Sequence, residues 1–142
     1  MNKKILFGSL CAVVFSAHLA WADTYQSCLD AAQDDYALIN CTNNEAARVL
    51  RSVNSKLATL ASNPYFSGWE NPSLPTAQNM KNFLDQWVIF RSYYCTLLAY
   101  TQSQGKGTIS ALTNAQCSLD TTKRLLQDVD AVMASYTENN PQ

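Results

Sequence analysis

The sequence has one histidine, His18, and it falls in an N-terminal segment expected to be cleaved off. A domain without histidine has no side chain that shuttles protons near neutral pH unless a pKa is strongly perturbed, and Ser/His/Asp triads, Cys/His pairs and His-ligated zinc are excluded. The absence of any CxxC pair argues against a redox dithiol or a zinc ribbon. There is no basic run, which argues against nucleic acid or an anionic membrane surface as partner. Nothing beyond residue 22 approaches the roughly 20 apolar residues that span a bilayer. Strand-like alternation and internal repeats are also missing, so the periodicity that remains is helical. No catalytic residue, cofactor or metal is expected. The nearest approach to a carboxylate pair is Asp34-Asp35 or Asp128-x-Asp130, and such neighbours read as a solvated turn and a solvated helix face.

What is present begins with MNKKILFGSLCAVVFSAHLAWA: Lys3 and Lys4, an apolar run, then Ala20-Trp21-Ala22. This order is that of a secretory signal peptide, with cleavage expected after Ala22. Leu10 before Cys11 sets lipoprotein processing aside. Residues 23–142 then form a single soluble domain of 120 residues, periplasmic or secreted, with one modest core. Once Lys3 and Lys4 leave, 8 basic residues face 11 acidic ones, a net charge of −3 that suits a cationic protein partner.

Four helices are legible. Roughly Thr24 to Leu38 reads as the first, with Leu29, Ala32, Tyr36 and Tyr25 inward and a break at Asn40-Cys41. Thr42-x-x-Glu45 has the form of a capping box, and Ala46, Val49, Leu50, Val53, Leu57 and Leu60 follow on one face. Met80, Phe83, Leu84, Trp87, Phe90, Tyr94 and Leu98 mark a third helix over about Thr76 to Thr101, ended by SQGKGT with Gly105 and Gly107. Leu112, Ala115, Leu119, Thr122, Leu126, Val129, Met133 and Tyr136 alternate by threes and fours, as a bundle seam requires, and the tail ENNPQ should fray. The fold class is thus all-α, a small antiparallel bundle of three to four helices.

Cys28, Cys41, Cys95 and Cys117 are an even set in an exported domain and read as two disulfides, with three possible pairings. If Lys106 is the tip of a helical hairpin, Cys95 and Cys117 are equidistant from it and lie level, which leaves Cys28 with Cys41. One conflict remains: on a continuous helix Cys117 points away from the Leu119/Leu126/Met133 seam. Either the last helix bends there, or its flank toward Leu125 and Val132 also packs.

The segment FLDQWVIFRSYYC contains Trp87-x3-Arg91-x3-Cys95, followed by a glycine-containing loop, Cys117, Thr122 and Arg124; upstream, Cys28 and Cys41 precede Val53-Asn54. Over nearly the whole domain this resembles the LprI-type lysozyme inhibitor family. Ser92, Tyr94 and Leu50 depart from residues usual in that pattern. The resemblance implies an exported, helical, disulfide-bonded protein, with lysozyme inhibition attached to some members. Read as residues, Trp87 is core, Arg91 is structural and one helical turn away, and Asn54 is a buried, satisfied amide.

The connection NPYFSGWENPSLP, Asn63 to Pro75, is longer than bundle helices usually need and holds Tyr65, Phe66 and Trp69 among three prolines and a glycine. Two readings stand: the aromatics lid the end of the bundle, or some project as partner anchors, for instance Phe66 inside with Tyr65 or Trp69 outside. Lys106 at the Gly105-Lys106-Gly107 tip is the second candidate contact. The expected function is a non-enzymatic, protein-binding inhibitor of a cell-wall hydrolase such as lysozyme; the alternative is a periplasmic interaction or immunity protein against another envelope-targeting enzyme.

Overall fold

The computed structural model describes residues 16–67 and 71–139, with side-chain environments over 24–67 and 71–135. Helix α1 spans Ser16–Ala31, α2 Asp35–Ala61, α3 Thr76–Ser103 and α4 Gly107–Asn139, with one 3-10 turn at Pro64–Phe66. There is no strand among the described residues. The chain forms the expected all-α bundle with disulfides Cys28–Cys41 and Cys95–Cys117, at Cα separations of 5.8 and 5.5 Å. Closed disulfides of this kind point to an oxidising compartment. No described helix is long and apolar enough to cross a membrane.

The first two helices differ from expectation, and α1 ends at Ala31 instead of running to Leu38. Helix α1 begins within the expected signal segment, and α2 starts at Asp35 and runs unbroken through Asn40-Cys41. Its cap is Asp34, whose extended backbone lets the carboxylate accept from the Ala37 amide at 2.7 Å. Thr42 caps nothing: it is buried, donates to the Leu38 carbonyl at 2.9 Å and meets the Tyr25 hydroxyl at 3.3 Å. The Thr-x-x-Glu pattern fails because Asp34, eight residues earlier, already caps the helix, and a mid-helix threonine satisfies its hydroxyl one turn back. Tyr36, in the first turn of α2, is exposed and not inward, because moving the helix start rotates it off the packed face.

Helix α4 is the centre of the bundle. It runs parallel to α2, whose Asp35 accepts from Thr108 at 2.7 Å near one end and whose Lys56 pairs with Asp130 at 2.5 Å toward the other. Helix α3 returns antiparallel to both. The buried residues of α4 include Ala115, Leu119 and Thr122 but also Cys117, Leu125 and Val129, an arc of more than half its circumference. That resolves the Cys117 conflict: α4 stays continuous, one side facing α2 through Ala46, Val49 and Leu119, and the other facing α3 through the disulfide. A larger cluster of Val53, Leu57, Leu60, Met80, Leu84, Leu125 and Val129 fills the end where α2 hands over to α3. The proposed fraying of the tail concerns residues that lie mostly outside the described ones.

The α3–α4 turn is tight and left-handed: Gln104, Gly105 and Gly107 have φ of 53°, 70° and 62°. Gly105 also lies against the Tyr100 ring, where an added Cβ would meet two ring carbons at 3.0 Å. Both the φ and the space require glycine there.

Candidate functional site

Asn63 builds the α2–α3 end. Its side chain accepts from the Tyr65 amide at 2.9 Å, and Pro64 occupies the first position of the 3-10 turn, where a missing N–H costs nothing. The turn sets two adjacent aromatics side by side with different burial. Phe66 is half-buried and packs against the main core cluster, while Tyr65 is 74 % exposed. Their rings meet edge to face at 5.2 Å, so the core-anchored phenyl braces the outer phenol. The rest of the connection is stitched to α3: the buried Asn79 donates to the Asn71 carbonyl at 2.9 Å, and Thr76 donates to the Phe66 carbonyl at 3.3 Å. Beside the turn opens an apolar groove of about 330 Å³, lined by Leu57, Leu60, Phe66, Met80, Phe83, Leu125, Val129 and Val132, with Asp128 its single charged residue. Trp69 lies outside the described residues.

Lys106 is exposed at the opposite end. The 28 residues of α3 separate the two tips, about 42 Å at 1.5 Å per residue. Tyr65 and Lys106 therefore cannot enter one cleft, and the four candidate contacts from the sequence do not form a single site.

Between the ends, the Trp87-x3-Arg91 pair fastens α3 to α4. Trp87 is half-buried against the core, and the Arg91 guanidinium sits 5.2 Å from its ring. One Arg91 terminal nitrogen donates to Thr122 Oγ1 at 2.7 Å, and that fully buried hydroxyl donates onward to the Ser118 carbonyl at 2.5 Å. Among the described residues no carboxylate pairs with Arg91, its Nε is buried without a partner, and burial lowers its pKa from the ordinary arginine value. The cation is held by a ring and a threonine, a structural role. Thr122→Val is accordingly expected to cost about 1–3 kcal/mol by orphaning a desolvated guanidinium. Adding Arg91→Met should recover part of that loss, since an apolar replacement removes a half-buried, poorly paired charge. Urea unfolding of the two single variants and the double variant checks it.

The remaining sequence candidates separate. Asn54 is exposed and not buried: Val53 takes the inward position on α2, and the next residue turns 100° away. Arg124 is exposed on α4. Asp34 is the cap of α2 and Asp35 the acceptor of Thr108, while Asp130 pairs with Lys56 and Asp128 points elsewhere on α4. Neither acidic pair converges on a common point. Among the described residues no group of His, Cys, Asp or Glu is arranged to hold a metal ion.

Sequence periodicity misplaced one face altogether. Phe90 and Tyr94, expected inward on α3, are 65 % and 45 % exposed and stack with ring centroids 6.0 Å apart. Helix α3 is apolar around nearly its whole circumference, so periodicity alone cannot choose a side; Cys95, buried opposite, was the available signal. No family model matches the chain, and no curated protein or solved structure matches it either.

Proposed function

We propose that the chain is an exported, non-enzymatic binding protein that inhibits a cell-wall hydrolase, with lysozyme the first target to test, through the bundle end that carries Tyr65. The observation that carries this reading is Tyr65 itself: a large aromatic, mostly exposed, held on a capped 3-10 turn and braced by a core phenylalanine. Inhibition of a hydrolase with two catalytic carboxylates requires a rigid projection that enters the cleft between them. A preformed tyrosine loses little conformational freedom on binding and supplies a ring and a hydroxyl together, as interface anchors do. The adjoining apolar groove offers the partner a recess beside the projection. A net negative domain speeds encounter with a cationic enzyme, and the resemblance to LprI-type inhibitors supplies the target class.

The test is the rate of cell-wall lysis by chicken-type, goose-type and phage-type lysozymes with the protein in molar excess. One of the three should slow. Tyr65→Ala should then weaken inhibition about 30-fold, the effect of losing a hot spot worth about 2 kcal/mol. It should change folding stability by less than about 0.5 kcal/mol, as exposed substitutions do. Lys106→Ala, at the far end, should leave inhibition unchanged; the reverse pattern would move the site to the other tip.

A further inference from the structure

Helix α3 carries a second apolar face, turned away from the core, that neither the disulfides nor the inhibitory reading uses. Ile89, Phe90, Tyr93, Tyr94, Leu97 and Tyr100 are 58, 65, 75, 45, 64 and 64 % exposed. A helix that is apolar on both sides is normally buried on both. From Gln86 to Gln104 the only charged residue is Arg91, and it is turned inward to Thr122. Along α3 itself this face therefore carries no charge to repel its own copy, and the charges that border it, Arg124 and Asp128 of α4 beside Phe90 and Tyr94, are of opposite sign.

The spacing identifies the occupant. Phe90, Tyr93, Leu97 and Tyr100 follow one another by three, four and three residues, the step of a coiled-coil seam. The series is also a palindrome centred on Cys95, the residue locked to α4 on the opposite side. We propose that this face binds a second copy of the chain, α3 against α3 in antiparallel sense, about a two-fold axis level with residue 95. Phe90 then lies against Tyr100 of the other copy, and Tyr93 against its Leu97, each contact occurring twice, as an isologous interface demands. With about 150–250 Å² per aromatic ring, the exposed fractions amount to on the order of 800 Å² per chain, the share each partner contributes to a standard stable interface. The dimer leaves Tyr65 unobstructed, because the 3-10 turn lies beyond the end of the stripe, on the far side of the first half of α3.

Sedimentation equilibrium of the exported, oxidised protein tests this without any target, so its outcome is independent of the inhibitory reading. The expected mass is that of two chains at micromolar concentration. Tyr93→Glu with Leu97→Glu should weaken association by about a hundredfold or more with an unchanged helical spectrum, while Tyr65→Glu should leave the mass alone. The sense of pairing has its own readout. A Tyr93→Cys/Leu97→Cys double variant should cross-link between copies under mild oxidation, and Leu97→Cys alone should not, because Leu97 faces Tyr93 and not itself. A monomer at high micromolar concentration overturns the proposal and gives the face to a different protein. Efficient cross-linking through Leu97→Cys alone overturns the antiparallel arrangement.

Discussion

Leu119→Ala is expected to lower stability by about 3–5 kcal/mol, in the upper part of the range for buried leucines. Leu119 is fully buried at the α2–α4 contact, where its neighbours Ala46 and Val49 are too small to fill the space it leaves. The location makes the loss matter more. One disulfide joins α1 to α2 and the other joins α3 to α4, so no covalent link crosses from α2 to α4. That contact depends on packing, with help from the partly exposed Lys56–Asp130 pair and the Thr108–Asp35 hydrogen bond, and exposed ion pairs contribute little. Urea unfolding should show a lower midpoint with an unchanged slope. A loss below about 1 kcal/mol would mean that α2 and α4 are not joined as described.

Removing the Cys95–Cys117 bridge, as Cys95→Ala/Cys117→Ala, should cost about 3.4 kcal/mol from the 22-residue closure it enforces on the unfolded chain. The melting temperature should fall by roughly 10 °C or more. The 13-residue closure at Cys28–Cys41 is worth about 2.9 kcal/mol on the same model, but its removal acts differently. Helix α1 packs mainly on α2, through that bridge and the Tyr25–Thr42 hydrogen bond, and touches α4 through Tyr25, which lies against the Leu119 cluster with Lys123 over its ring, so its release is local and leaves the α2–α3–α4 core standing. Exposure also sets the order of reduction. Cys28 is half-buried, whereas Cys95 is fully buried, so a mild reductant should open the first bridge well before the second. Mass spectrometry of alkylated thiols during a reductant titration reads this order directly. Simultaneous reduction, or reduction of the α3–α4 bridge first, would contradict the packing.

Helices α3 and α4 and both disulfide pairings were legible, because a tight glycine turn fixes a hairpin and the cysteines sit symmetrically about it. The start of α2 was not. Asp34 and Thr42 both have the chemistry of an N-cap, and only the tertiary arrangement, with Cys41 tied back to Cys28 about two turns past Asp34, decides between them. Phe90 and Tyr94 were misplaced for a related reason: a sequence states that a residue is apolar or polar, but on α3, apolar around nearly its whole circumference, it does not state which side meets the core; Asn54 was misplaced on α2 because it is the immediate neighbour of the inward Val53, one 100° step off the packed face. The division of labour at the α2–α3 end was half legible. Phe66 inside and Tyr65 outside was one of the arrangements anticipated, while the role of Asn79, a buried amide that ties the loop to the first turn of α3, left no trace in the sequence pattern.

The proposed function is contact between a pre-shaped bundle end and a cell-wall hydrolase. Calorimetric titration of the oxidised protein into each of the three lysozyme types, with lysis followed on the same samples, measures that contact directly. One of them should give a single saturable isotherm, with lysis suppressed in proportion to occupancy. No binding heat and undiminished lysis for all three would contradict it.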